Sequence, residues 1–232
     1  MAAFSETMKE KSKPVWQAIL NHPFVKGIGE GTLALDKYEF YLKQDYLYLV
    51  DFSRVFALAS AKARQLDDMG YFAKLLDLTL NTEMDLHRRT CAEFGISSEE
   101  LERTEPTLVT LAYTSFLVKT CYEEPLAGII AVLLPCAWGY ADIAQHLKKQ
   151  GLPEVSHYRD WIETYASEEF AEWARWLKDK MDAYAEEASD LEKDHWYRLY
   201  LQSTRFELMF FEMSYKKEFG DMNRDFKFRP QK

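Results

Sequence analysis

Apolar residues recur at three- and four-residue spacing along nearly the whole chain, the period of one helix face. The pattern predicts a first helix from about Ser5 to Leu20, ending before Asn21-His22-Pro23. From His22 to Leu35 the period is interrupted by Gly27, Gly29 and Gly31, which read as a loop with permissive backbone. That loop follows no strand and lacks a Gly-Lys-Ser/Thr ending, so it is not a phosphate loop. Asp36-Lys37-Tyr38-Glu39 has the spacing of a capping box and opens a long helix to about Gln65. A third helix covers about Met69 to Phe94, closed by Gly95, and Ser97-Ser98-Glu99-Glu100 starts a short one that stops before Pro106. Further helices run from about Thr107 to Tyr122, from Pro125 to Gln150, from Pro153 to Tyr165, from a Ser167 cap to Ala188 and from Leu191 to Glu218. No linker or repeat divides the chain, so the expectation is one all-α domain over residues 1–219 and a polar, frayed tail over 220–232.

Three of these helices carry a polar group where the pattern wants an apolar one. The inward stripe of the second long helix reads Tyr41, Asp45, Tyr48, Phe52, Val55, Ala59, and that of the last reads Trp196, Tyr200, Ser203, Glu207, Phe210, Ser214. On the helix from Pro125 the stripe Ile129, Leu133, Cys136, Tyr140, Ile143, Leu147 adds a thiol and a phenol, one residue after a helix-bending proline. Singly, each has a structural explanation. Free cysteine usually behaves as a small buried hydrophobe, and Asp45 or Glu207 can pair with Arg54, Arg64 or Arg205. Together, two inward acids, a thiol and several tyrosines are the mixture expected of a pocket for a small polar aromatic ligand.

Composition narrows the classes. The formal charge of -9 argues against a nucleic-acid or anionic-membrane partner. No leader is recognisable in Met1 to Pro14, and no apolar run approaches the ~20 residues of a membrane span, so a soluble cytoplasmic protein is expected. Cys91, Cys121 and Cys136 form an odd set without metal spacing, which indicates neither a disulfide framework nor a zinc site. Glu83 with His87, and Asp142 with His146, are each four apart and offer two ligands on one face, but di-iron bundles use Glu-x-x-His spacing and more carboxylates. His22, beside a helix end, is the remaining lone candidate, for haem. No metal and no cofactor are expected.

The residues also carry a family likeness. His22-Pro23-Phe24-Val25 with Gly27 to Leu33, Tyr41 to Asp45 with Tyr48, Glu83 to His87, Tyr113-Thr114-Ser115, Leu133 to Trp138, Trp161 to Tyr165, and Glu207 with Met213 and Tyr215 occur in one order along the chain. In these segments it resembles the TenA/thiaminase II family, in the branch with an active-site cysteine. The resemblance implies a haem-oxygenase-like helical fold without haem and a homotetramer. It further implies hydrolysis of 4-amino-5-aminomethyl-2-methylpyrimidine to the hydroxymethyl pyrimidine and ammonia in thiamine salvage, and cleavage of thiamine to the same pyrimidine plus the thiazole alcohol. By motif, Cys136 would be the nucleophile, Glu207 the acid and Asp45 the substrate anchor, with Tyr48, Tyr113, Tyr140 and Tyr165 around the ligand. Ala137 and Gly139 depart from the family pattern, which often has an aromatic and a bulkier residue there.

These residue types suit that chemistry. A carboxylate can meet the ring nitrogen and exocyclic amine of an aminopyrimidine with two parallel hydrogen bonds. A thiolate adding to the neighbouring ring carbon makes an enamine that expels the leaving group, and a protonated acid at the adjacent nitrogen lowers the barrier. A phenol on the sulfur, such as Tyr48, would favour the thiolate. Two other readings stand beside this one: a metal-dependent oxidase built on Glu83, His87, Asp142 and His146, and a regulatory protein that binds a pyrimidine without turnover.

Overall fold

The computed structural model describes residues 3–219, so the 220–232 tail expected to be frayed lies outside the described residues. Among the described residues there is no strand, and the predicted all-α class holds. The chain enters through α1 (Phe4–Lys11) and α2 (Lys13–Leu20), split at Ser12, where the sequence suggested one helix. Pro14 in the first turn of α2 explains the break: it fits a helix start but cannot continue the hydrogen bonding of a preceding helix.

The expected glycine loop is largely a helix. α3 (Pro23–Glu30) begins at His22, whose Nδ1 accepts from the Phe24 amide, and only Gly31 adopts the left-handed backbone (φ 70°). Gly27 and Gly29 serve close packing instead. A Cβ on Gly27 would come 3.0 Å from Leu33 Cβ, and one on Gly29 would come 2.6 Å from Leu147 Cδ2. The sequence shows that glycine is present but not which of its two uses applies.

α4 (Leu35–Lys62) starts without the expected capping box; Asp36 lies in its first turn and pairs with Lys217. The predicted third helix is two, α5 (Leu66–Leu78) and α6 (Met84–Glu93), joined by a π-helical turn over Thr79–Glu83. Gly95 (φ 75°) follows, and α7 (Ser98–Glu102) is capped by Ser97 as predicted. α8 (Leu108–Glu123), α9 (Leu126–Gln150), α10 (Ser156–Tyr165), α11 (Glu168–Glu187) and α12 (Asp190–Lys216) complete the bundle. A capping box that pattern reading missed, Ser189 with Glu192, opens α12.

α9 is the axis of the molecule, packed against α8, α10, α11 and α12, and almost every side chain from Leu126 to Ala144 is buried. This helix is long and apolar enough to cross a membrane by length and composition, which corrects the expectation that no such run exists. Its apolarity has another source: a helix surrounded on all sides needs no polar face. α4 and α12 pack on each other and on α8, so the three inward stripes converge on one interior.

Candidate active site

Where those stripes meet, a cavity of about 380 Å³ opens, within the ~300–1,000 Å³ of small-molecule sites. Its wall includes Asp45 and Tyr48 from α4, Tyr113 from α8, Cys136 and Tyr140 from α9, Tyr165 from α10 and Glu207 from α12. All seven residues singled out from the sequence therefore line one space. Leu75, Leu78, Thr79, Glu83 and Leu86, from α5, the π-turn and α6, form another part of the wall, with Phe170 and Trp173 of α11.

Neither acid pairs with the arginines considered from sequence. Asp45 Oδ2 lies 3.4 Å from His87 Nε2, both residues buried. Burial works against the charged ring, but contact with Asp45 and the Cys91 thiol (3.5 Å from Nδ1) outweighs it, and the His87 pKa rises to about 10. His87 thus presents an imidazolium to the carboxylate.

Glu207 sits at the other acid position. Its Oε1 is 2.6 Å from Tyr113 Oη, which lies 3.2 Å from Ser203 Oγ, and Ser203 donates to the Val132 carbonyl at 2.7 Å. Burial raises the Glu207 pKa to about 8, with Tyr113 opposing and Asp45 adding. When Glu207 is protonated, one direction satisfies every link: Glu207 donates to Tyr113, Tyr113 to Ser203, and Ser203 to Val132. An ionised Glu207 accepts from Tyr113 instead, and the Tyr113–Ser203 contact then has no proton to share.

Cys136 is the least enclosed member of its stripe. Pro135 lies inside α9 and leaves the Ala131 carbonyl without its helical donor, one turn before the thiol. Enclosure and the Glu207 carboxyl push the thiol pKa well above its usual value, while Tyr48 pulls it down. The resting group is a thiol, and Tyr48 acts in the direction that favours the thiolate. Tyr48 Oη itself is buried and lacks a hydrogen bond of standard geometry. Tyr140 stacks among Tyr165, Trp161 and Phe211, with ring centres 4.9–5.8 Å away, and is a wall.

The alternative metal ligands do not assemble. Asp142 is engaged by Lys9, His146 is exposed and bonded to Gln150, and no group of three ligating side chains occurs among the described residues. Both nitrogens of His22 are used, by the Phe24 amide and by Glu212 at 2.8 Å. Apart from their place in the family segment, Glu83 and His87 enter the sequence reading as metal ligands; their four-residue spacing is the signal that puts them on one face, where His87 meets Asp45. Ser203 stood on the inward stripe with nothing to distinguish it from a packing residue.

Known proteins share this architecture. A protein named aminopyrimidine aminohydrolase from Halalkalibacterium halodurans is 44% identical over 224 residues, covering 95% of this chain and 99% of the relative. The solved structure of a TenA homologue protein from P. horikoshii OT3 superposes with a TM-score of 0.87 at 30% identity, covering 94% of this chain and all of that one. A domain with a haem-oxygenase-like fold from Shewanella denitrificans matches 91% of this chain and 92% of its own with a TM-score of 0.71 at 15% identity, a likeness of fold alone. The TENA/THI-4/PQQC family model matches residues 9–217, and the chain belongs to that family.

Proposed function

We propose that this chain is a hydrolase, an aminopyrimidine aminohydrolase that converts the aminomethyl pyrimidine to the hydroxymethyl pyrimidine and ammonia in thiamine salvage. One observation carries the reading: Asp45, Cys136 and Glu207, from three helices, line a single cavity of about 380 Å³. The name borne by the 44% identical relative supports it.

In this reading Asp45, backed by the His87 imidazolium, receives the amidine edge of the ring. Glu207, protonated at neutral pH, faces the ring nitrogen beside the carbon that Cys136 attacks. Sγ bonds to that carbon, the C=N electrons take the Glu207 proton, and the Cys136 proton refills the carboxylate. No free thiolate is required at rest. The resulting enamine expels ammonia, water adds to the exposed methylene, and Sγ leaves as the ring recovers its double bond. Cleavage of thiamine follows the same course with the thiazole as leaving group.

A homotetramer belongs to the same reading. Leu108, Leu111 and Tyr122 of α8 and Met209 of α12 are large apolar side chains left exposed, as subunit interfaces require. Ammonia release from 4-amino-5-aminomethyl-2-methylpyrimidine tests the function. Release that disappears in Cys136→Ala supports the enzyme; no release from the wild-type protein would leave only a pyrimidine binder.

A further inference from the structure

Glu83 shares the cavity with Asp45 and Cys136, and no step above uses it. It is the last residue of the π-turn, and π-turns inside helices recur at functional sites because the extra residue re-aims a side chain. Thr79 and Glu83, the two ends of that turn, both reach the cavity wall.

The pose required by the chemistry leaves one direction unassigned. With the amine-bearing edge on Asp45 and the attacked carbon at Cys136, the methylene-bearing carbon lies between them. Its substituent points out of the ring on the side away from the nitrogen facing Glu207. The π-turn that ends in Glu83 packs against α4, the helix that carries Asp45, and Glu83 lines the cavity together with Asp45 and Cys136, the two groups that flank the methylene-bearing carbon in this pose. A methylene amine is an ammonium at neutral pH with three donors, and it is the substituent that a carboxylate recognises best.

We propose that Glu83 is a specificity residue that accepts a hydrogen bond from the ammonium group on the substrate methylene and so favours the amine over the alcohol. The inference rests on the pyrimidine reading above. It also suits departure: the C–N electron pair stays on nitrogen, and ammonia leaves with its three protons without a further acid. The neutral hydroxymethyl product lacks the charge and is held less tightly.

Turnover is avoided by measuring binding in the Cys136→Ala background, by calorimetry, with aminomethyl and hydroxymethyl pyrimidine as separate ligands. Adding Glu83→Gln is expected to weaken the aminomethyl compound about tenfold and to leave the hydroxymethyl compound within about twofold. Glu83→Asp, which keeps the charge, should recover part of the loss. An unchanged aminomethyl affinity, or equal weakening of both ligands, overturns the assignment to Glu83 while the pyrimidine reading survives. If neither ligand binds before Glu83 is changed, the pyrimidine reading falls first and this one with it.

Discussion

His87 Nε2 lies 3.4 Å from Asp45 Oδ2, and the two buried side chains form an ion pair on the wall of the cavity. A carboxylate there is stabilised by an imidazolium rather than by the arginines that the sequence offers.

Removing that partner should disturb binding more than chemistry. His87→Ala leaves Asp45 as an uncompensated buried charge, and such losses run to about 3–5 kcal/mol. The expected outcome is a KM for the aminomethyl pyrimidine raised at least about tenfold with a smaller change in kcat, read by steady-state ammonia release. An unchanged KM would detach His87 from the substrate anchor.

The pH profile follows from Glu207. Its carboxyl is protonated below about 8, so kcat/KM should fall as pH rises through that value. Glu207→Gln should be slow at every pH and show no such limb. Stability has the same sign: the folded protein keeps a proton that the unfolded chain releases near the ordinary value of 4.5. The unfolding free energy contributed by this group is therefore full below that value and declines as pH rises to about 8. Chemical denaturation of wild type and Glu207→Gln at pH 5 and pH 8.5 would show the variant gaining on wild type at the higher pH.

Ser203 joins two functional helices through one hydroxyl, between Tyr113 of α8 and the Val132 carbonyl of α9. Ser203→Ala should cost about 1–3 kcal/mol by leaving buried partners unsatisfied. It should also shift the alkaline limb of the pH profile, a readout that simple loss of packing would not move. Thermal melts and pH-rate curves on the same preparation separate the two effects.

Gly139 faces the Trp16 ring, and an added Cβ would come 2.4 Å from Cη2. Gly139→Ala is expected to destabilise by about 1–3 kcal/mol through overpacking, with activity retained at low temperature. A melting temperature equal to wild type would mean that α2 yields without cost. The family's bulkier residue at this position thus implies a different seat for the ring.

The three stripes were readable because α4, α9 and α12 are long, and a polar residue repeated on a buried face stands out against its neighbours. Asp45, Glu207 and Cys136 were found in this way, and the family likeness added their roles. Three things were not readable. Gly27 and Gly29 look like loop glycines but mark close packing against Leu33 and Leu147, partners far along the chain or beyond a turn. The Ser203–Val132 hydrogen bond depends on how α12 crosses α9, which no local pattern encodes. The π-turn arises within a stretch whose periodicity fits a continuous helix, since one extra residue shifts phase by less than a face.

That extra residue has a consequence for sequence length. Across Thr79–Glu83 each residue turns through a smaller angle, so the eight steps from Thr79 to His87 come closer to two whole turns than a regular helix allows. Deleting one residue between Thr79 and Glu83 would leave Glu83 and His87 four apart on one helix face and would instead rotate α5, with Leu75 and Leu78, about the axis. Chain length at this point is thus a dial on the α5 side of the cavity wall, separable from the His87–Asp45 pair.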